Sequence, residues 1–526
     1  MLKNYHQHIY FFGLLLLVIS LPLSIFLLSL AQIILIVNWL LENNFKFKWA
    51  FTLKRNSIFA FLIIYMVHLL GMLYSSDLTY GIHDLKIKLP LLLLPVIIGT
   101  TQPLERNKFV LVLLSFCVAV FISSIISTGK LFNWWGTPVM DVRDISIFIS
   151  HIRLALMVNM GIFILLWIIL DSQSTTKKIG LTSLLLWFIF FLILLKSLTG
   201  IIILLALLLF FGFRWLLNYK NFMVKWFVIV GGACSILIIT AYISNSIGRF
   251  YQITDSGTTE LETTTTNGNV YYHNPYSKEI ENGNYTWLYI CDKELETTWN
   301  KRSKLNYNGP DLKNQELKFT LIRYLTSLGL RKDSAGVMAL EDKDIANIEM
   351  GMANYIYSWK FSFYPRIYQI IWEISHYKNG GNPSGHSFTQ RLEYLKTAKN
   401  IIKSNFWTGV GTGDVAKAFE KQYIIDNSKL DVRWRLRAHN QFITFFLTFG
   451  IIGFTVIMFA LIYPVYKEKK WYNFFMLLFL IVGFMSFINE DTIETHAGIS
   501  FFAFFYAFFL YNTTFNDKNA KYNKVN

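Results

Sequence analysis

The chain has 526 residues, of which 54% are hydrophobic and only 16% are charged, and its formal net charge is +16 at pH 7. A soluble domain averages about 25% charged residues, so this composition excludes an ordinary soluble globular protein and indicates an integral membrane protein. The positive charge would also suit nucleic-acid binding, but the lysines and arginines are concentrated in short loops between apolar segments. That distribution is typical of the cytoplasmic loops of a membrane protein.

Twelve apolar segments approach or reach the length of roughly 20 residues that a helix needs to cross a bilayer. The first apolar run, residues 9–41, is too long for one span and has Pro22 near its middle. It therefore predicts two helices rather than a cleaved signal peptide. The predicted spans are residues 9–21, 23–41, 57–74, 84–100, 108–127, 146–170, 179–195, 199–213, 226–244, 438–463, 473–488 and 497–511.

The short loops give this set of spans an orientation. Those rich in lysine and arginine are placed in the cytoplasm, which puts both termini there and the long polar tract on the other side. The fold class predicted is an all-α polytopic membrane protein with one long, mostly helical extracytoplasmic loop domain. We expect an N-terminal bundle of about nine helices over 1–244, the loop domain over 245–437, and about three helices and a cytoplasmic tail over 438–526.

The extracytoplasmic tract contains aromatic residues throughout and is predicted to be folded, after a flexible lead over 254–269 that is rich in Thr, Gly and Asn. Helices are predicted over Lys318–Leu330 and Asp342–Tyr357. The segment Arg391–Trp407 has apolar residues at helical spacing and lysines on another face. Such a helix can lie on a membrane surface or cap the helix bundle, or it can face the core of the extracytoplasmic domain with its lysine face in solvent.

A glycine-rich segment follows that helix. Gly409, Gly411 and Gly413 permit a tight turn and a close backbone approach, which is a weak indication of phosphate binding. No Lys-Ser/Thr pair follows, so the segment is not a nucleotide-binding P-loop.

His439 is the first candidate for chemistry, because it stands at the start of an apolar span. A neutral imidazole can accept a proton from an attacking hydroxyl, although an interfacial or capping histidine has the same pattern. Asn440 can orient the imidazole, bind substrate or cap the helix. Gly450 and Gly453 lie on nearly one face of the span and predict close helix packing.

Arginines form a second candidate group. Arg153 is predicted to lie inside the sixth span, about two turns from its outer end, where a guanidinium either reaches to the interface or binds phosphate in a water-lined cavity. Arg391 opens the amphipathic helix, and Arg435 and Arg437 precede His439. A continued helix would place Arg435 and His439 on one face.

The last predicted outer loop carries three carboxylates and a histidine. Glu490, Asp491, Glu494 and His496 match no zinc or calcium spacing. We therefore predict no metal site, and we expect these carboxylates to pair with the nearby arginines.

These motifs resemble the O-antigen ligase and O-antigen polymerase superfamily. His439-Asn440, nine residues, Gly450, two residues and Gly453 are similar to its motif, and Arg391 followed by the Gly409–Gly413 turn is similar to its extracytoplasmic segment. The resemblance implies a GT-C-like bundle in the bacterial inner membrane with an active site that faces the periplasm. It also implies a metal-independent, inverting glycosyltransferase without cofactors. Its substrates would be a glycan on undecaprenyl diphosphate and an acceptor hydroxyl, such as that of lipid A-core.

Residue by residue, the resemblance implies catalytic roles for His439 and Arg391, and for Arg153 in a middle span. Asn440, Arg435, Arg437 and Glu490 are predicted to bind substrate. The chain departs from the family pattern at one position, because Leu198 stands where family members often have arginine. Lys196 or Arg153 is therefore predicted to supply the positive charge. A lysine, however, does not reproduce the bidentate binding of phosphate.

Three functions remain open at this stage. O-antigen ligase is the first hypothesis, and a repeat-unit polymerase of the same superfamily is the second. A polysaccharide transporter or flippase is the third, but it predicts paired repeats with broken helices near the middle of the membrane, and the sequence has no such symmetry.

Overall fold

The computed structural model describes residues 2–135, 139, 142–253, 261–359 and 361–513. Part of the predicted flexible lead (254–260) and most of the predicted C-terminal tail (514–526) lie outside these residues. The described chain is mostly helical and divides into two units. Unit 1 comprises Met1–Thr137, Arg143–Lys220 and Gln390–Asn526, and unit 2 comprises Pro138–Val142 and Asn221–Thr389.

Unit 1 is a bundle of long apolar helices. They are α1 (Leu2–Ser20), α2 (Ile25–Leu41), α3 (Phe45–Lys54), α4 (Asn56–Gly71), α5 (Leu78–Thr100), α6 (Arg106–Leu131), α7 (His151–Asp171), α8 (Thr175–Leu194), α9 (Leu198–Asn218), α17 (Val415–Ile425), α18 (Gln441–Lys467), α19 (Phe474–Asn489) and α20 (His496–Asn512). Another helix, α16 (Ser387–Ser404), crosses the boundary between the units.

Helix α20 forms the centre of the bundle. All of its residues from Ala497 to Asn512 are buried, and it packs against α5 and α19. Phenylalanine rings fill the contacts around it. Phe109 stacks on Phe508 with ring centroids 5.0 Å apart, and Phe475 stacks on Phe509 at 5.3 Å. Aromatic pairs of this kind add to the stabilisation from burial alone.

Each of the twelve apolar segments predicted from the sequence lies in a helix. Within the described ranges, seven helices are long and apolar enough to cross a membrane, or eight if the pair Ile25–Leu41 and Phe45–Lys54, bent by 107°, is one span. Four predicted spans, residues 9–21, 84–100, 473–488 and 497–511, are not among these helices. Helix α5 carries several charged residues, and α19 and α20 have only 16 and 17 residues. The structure is therefore that of a multi-pass membrane protein.

Unit 2 has a hydrophobic core of its own. Its helices are α10 (Phe222–Tyr251), α11 (Asp292–Arg302), α12 (Leu317–Ser327), α13 (Ser334–Met338), α14 (Asp342–Glu349) and α15 (Tyr364–Lys378), with a hairpin of β1 (Ile280–Glu281) and β2 (Asn284–Tyr285). Trp299, Leu321 and Ile348 are fully buried among the apolar residues of α11 to α14. The predicted helix over 342–357 is wrong in its second half, because Gly351 adopts a φ of 74° that ends the helix.

Two helix starts differ from the sequence-based expectations. Helix α7 begins at His151 because Ser150 is extended and its hydroxyl accepts a hydrogen bond from the Arg153 amide. Arg153 therefore lies in the first turn and not two turns inside the span. Helix α16 begins at Ser387, so Arg391 lies in its second turn and does not open it.

Candidate functional site

The helix that carries the His-Asn motif begins with a side-chain cap. Oδ1 of Asn440 accepts a hydrogen bond of 3.0 Å from the Ile443 amide, and its Nδ2 donates one of 2.8 Å to the carbonyl of Ile488. Asn440 thus caps α18 and ties it to the end of α19. His439, just before the cap, has a φ of 48°, a left-handed conformation that costs free energy for a residue with a Cβ.

Glu490 is the centre of a cluster of charged side chains at this end of the bundle. Its Oε1 lies 3.8 Å from Nη2 of Arg153 and 3.8 Å from Nδ1 of His439, and its Oε2 lies 4.0 Å from Nη2 of Arg391. The four residues come from the starts of α7 and α16, the approach to α18 and the loop after α19. All three residues predicted to be catalytic are therefore brought together around one carboxylate.

The charges around Glu490 decide its ionisation. Burial raises the pKa of this carboxyl. His439 and the guanidinium groups of Arg153 and Arg391 lower the pKa by more than burial raises it, so the pKa lies below the usual range. Glu490 is therefore ionised at neutral pH. The two guanidinium groups that surround this single carboxylate favour an anionic ligand.

Two nitrogen atoms of this cluster have no hydrogen-bond partner in the described part of the chain. They are Nε of Arg153 and Nδ1 of His439, and both are buried. An unsatisfied buried polar atom in a native structure indicates a missing partner or a functional role. The ring of Tyr394 packs against the imidazole with centroids 5.6 Å apart, and its hydroxyl donates a hydrogen bond to the Trp434 carbonyl.

A second charge cluster adjoins the first. The sequence predicted substrate binding for its Arg437 and ion pairing for its Glu494, but it assigned no role to Lys88 or Asp84. Lys88 of α5 is fully buried, 2.6 Å from Asp84 and 2.9 Å from Glu494, and Arg437 lies 3.2 Å from Glu494. The signal was present in the sequence, because charged residues within an apolar span are rare and usually functional. The expectation that the carboxylates of the last loop pair with arginines is confirmed at Glu490 and Glu494.

The remaining predicted residues lie in other places. Arg435 follows a short 3-10 turn (Val432–Trp434) and donates from Nε to the carbonyl of Leu430, so no continuous helix aligns it with His439. Lys196 lies in the turn between α8 and α9 with a φ of 49°, and Leu198 is the first residue of α9. Among the residues that the structure describes, no group of His, Cys, Asp or Glu is arranged to hold a metal ion.

Gly450 interrupts α18 and does not simply pack against a neighbouring helix. Its φ is 61°, and an added Cβ would lie 2.3 Å from the carbonyl of Trp407. The break exposes backbone groups that bond to the segment after α16, where the amides of Ile451 and Ile452 donate to the carbonyls of Phe406 and Trp407. The close approach expected at Gly450 is present, but the backbone there approaches a loop and not a neighbouring helix.

The glycine-rich turn is bound by protein groups along its length. The amides of Val410 and Gly411 donate to the carbonyls of Leu447 and Thr448, and the Gly413 amide donates to the hydroxyl of Ser75. The Gly409 and Thr412 amides also bond to backbone carbonyls. Because these donors already have acceptors, the turn does not form a phosphate cradle, and its role is to join α16 to α18 and α4.

The basic amphipathic helix α16 packs inward. Tyr394, Ala398 and Ile401 are buried in a cluster with residues of α17 and α18. This packing agrees with a helix that caps the bundle and not with one that faces the core of the extracytoplasmic domain, and Leu392 and Leu395 remain exposed.

An apolar groove lies between α18 and α19. Its volume is about 460 Å³, within the range of roughly 300–1,000 Å³ that is typical of ligand sites. Phe442 and Ile488 line one end, next to the bond from Asn440 to the Ile488 carbonyl, and Trp471 and Val465 line the rest of its length together with other apolar side chains. The groove thus begins beside the charged cluster.

Residues 350–458 match a family model described as O-antigen ligase. The matched segment contains α15 to α17 and the first two thirds of α18, including Arg391, His439 and Gly450. No curated protein matches the sequence. The resemblance to the O-antigen ligase and polymerase superfamily is confirmed by this match. Members of this family are glycosyltransferase-like enzymes that act on lipid-linked glycans in a membrane.

Proposed function

We propose, from the premise that this chain belongs to the O-antigen ligase and polymerase superfamily, that it is an O-antigen ligase. It would transfer a glycan from undecaprenyl diphosphate to a hydroxyl of lipid A-core. The observation that carries this proposal is the cluster of His439, Arg153 and Arg391 around Glu490. It combines a proton acceptor with two cationic groups at one end of a membrane bundle.

The proposed reaction is a single displacement. Nδ1 of His439 faces Glu490, which leaves Nε2 to take the proton of the acceptor hydroxyl as its oxygen attacks the anomeric carbon. The new glycosidic bond forms while the bond from that carbon to the diphosphate oxygen breaks, so the anomeric centre is inverted. The ionised Glu490 stabilises the imidazolium that forms.

The leaving diphosphate gains negative charge as the bond breaks. Arg153 and Arg391 supply fixed guanidinium groups, which bind phosphate oxygens bidentately. Such preorganised charges stabilise the transition state strongly where water is excluded. Arg153 is mostly buried, and its unsatisfied Nε provides a donor for the ligand. These groups support a metal-independent reaction.

The membrane arrangement is also a proposal. Twelve spans in a GT-C-like bundle would place the cluster on the periplasmic side of the bacterial inner membrane, as the positive loops indicate. The apolar groove between α18 and α19 would then hold part of the polyprenyl chain of the donor, with the diphosphate at Arg153 and Arg391. Its start beside Asn440 and its apolar lining support this placement.

The first test is genetic and chemical. In a strain that lacks the gene, we expect loss of glycan-capped lipid A-core on gels and accumulation of full-length glycan on the carrier lipid. Accumulation of single repeat units on the carrier would instead support the polymerase hypothesis. Unchanged glycolipid and unchanged carrier-linked glycan would contradict both.

The second test concerns His439. Complementation with His439→Asn removes the base, but asparagine tolerates the left-handed backbone that residue 439 adopts. We expect no transfer at normal protein levels. His439→Ala gives a comparison in which backbone strain is added. Transfer at the wild-type rate in His439→Asn would rule out the catalytic role.

A further inference from the structure

The carboxylate of Glu494 joins two parts of unit 1 that are far apart in the sequence. Lys88 of α5 approaches it to 2.9 Å, and Arg437 approaches it to 3.2 Å. Burial raises the pKa of Glu494, but the charges of Lys88 and Arg437 lower it well below its usual range, so the carboxylate is ionised. Asp84 completes the charge balance at 2.6 Å from Lys88.

The contacts of Glu494 lie on both sides of His439. Arg437 is two residues before the histidine, and Gln441 is two residues after it. Nε2 of Gln441 donates a bond of 2.9 Å to Glu494, and its Oε1 accepts one of 3.0 Å from the Ile493 amide. The segment 437–441 is therefore fixed at both ends to the turn Thr492–Glu494, while the imidazole itself contacts Glu490 only at 3.8 Å.

His439 needs such support because of its backbone. A φ of 48° in a residue with a Cβ costs free energy and persists only where the surroundings enforce it. Thr444 also holds the loop that contains the turn Thr492–Glu494, because its hydroxyl donates a hydrogen bond of 2.8 Å to Asp491. Glu490 lies in this loop, so both members of the His439–Glu490 pair depend on one set of buried bonds.

Stability alone does not account for a buried lysine in α5. Buried ion pairs often contribute little net stability relative to apolar residues of similar size, because desolvation offsets their attraction. In the described part of the chain, neither Lys88 nor Glu494 forms an ion pair or hydrogen bond with His439, Arg153 or Arg391. Through Glu494, which contacts Arg437 and Gln441, the pair affects the direction in which the His439 side chain points.

We propose that Lys88 and Glu494 are positioning residues for the transfer reaction. They hold the segment 437–441 so that the His439 imidazole faces Glu490 with its other nitrogen toward the acceptor. This inference rests on the proposed glycosyl transfer, but it concerns residues that match no part of the family motif.

The test measures initial rates of the full-length protein in proteoliposomes with undecaprenyl-diphosphate-linked glycan and lipid A-core. For Glu494→Gln, which keeps the shape of the side chain, we expect kcat to fall at least tenfold and the KM values for both substrates to stay within twofold. Glu281→Gln is the matched control, because Glu281 is also a buried carboxylate paired with an arginine, Arg323, at 2.6 Å. We expect its kcat to be unchanged.

A second variant covers the case in which Glu494→Gln does not fold. Lys88→Met combined with Glu494→Gln removes one charge of each sign, so the net charge of the buried cluster with Asp84 and Arg437 is unchanged. A melting temperature near the wild-type value together with a low kcat supports positioning. A wild-type kcat in either folded variant, with His439→Asn inactive, overturns the positioning role and leaves the proposed function standing. Full transfer by His439→Asn contradicts the proposed function itself.

Discussion

The amide of Gly411 donates a hydrogen bond of 2.9 Å to the carbonyl of Thr448, two residues before the break at Gly450. This bond explains why a glycine-rich turn and a His-x10-Gly spacing occur in the same chain. An unbroken α18 would use that carbonyl for its own i+4 amide. Because Gly450 ends the regular ladder, the carbonyl is free for the turn, and the start of α18 with His439 is fixed relative to α16 with Arg391.

Gly450→Ala tests this joint. The variant places a Cβ 2.3 Å from the Trp407 carbonyl and forces alanine into a conformation that favours glycine. We expect the free energy of unfolding to fall by about 1–3 kcal/mol or more, measured by thermal denaturation in detergent. We also expect a lower rate of glycan transfer. Gly212→Ala is the control, because Gly212 lies in α9 with open space around it. That change should be neutral or stabilising, and an equal effect in both variants would argue against the joint.

Arg153→Lys and Arg391→Lys test the bidentate role of the guanidinium groups. Each variant keeps the positive charge but loses the planar pair of donors. We expect kcat to fall by about 10²-fold, the size of effect seen when one preorganised donor is removed, with an unchanged melting temperature. Arg106→Lys is the matched control, since Arg106 pairs with Asp171 on an exposed surface. Wild-type transfer rates in both Arg153→Lys and Arg391→Lys would show that these arginines have no role in catalysis that depends on bidentate binding.

Filling the groove between α18 and α19 should weaken binding of the donor. Ile481 lines the groove, and Ile481→Trp adds bulk there. We expect the KM for the lipid-linked donor to rise roughly tenfold, equivalent to about 1.4 kcal/mol, with the KM for the acceptor unchanged. Leu209→Trp on the exposed face of α9 serves as the control. If only the acceptor KM changes, the groove does not hold the donor chain.

The stability of the cluster should depend on pH through Glu490. Its pKa in the folded protein is lowered below the ordinary value of 4.5, so the unfolded chain binds the proton more readily. The contribution of this carboxylate is therefore present above about pH 4.5 and is lost as the pH falls through the folded pKa. We expect the melting temperature of the wild type to fall more steeply between pH 6 and 3.5 than that of Glu490→Gln. Parallel curves would show that the pKa of Glu490 does not differ between the folded and unfolded states.

Local sequence patterns determined the helices and the candidate base. Apolar runs predicted every long helix of unit 1, because hydrophobic length is a local property. The His-Asn pair and its spacing to Gly450 identified the start of α18. Helix ends were less predictable. Ser150 caps α7 and moves its start to His151, because a capping bond outweighs hydrophobicity at the boundary, and α16 begins at Ser387, four residues before Arg391.

Only the tertiary structure decided which charges meet. Glu490 is predicted from sequence to bind substrate and to pair with nearby arginines, but its place among Arg153, Arg391 and His439 depends on contacts between segments about 50 to 340 residues apart. The same holds for Lys88 with Glu494, and for Gly450, whose partner is a loop rather than a helix. Periodicity reports which face of a helix is apolar, but pairing across the bundle depends on how the helices pack, and no local pattern contains that information.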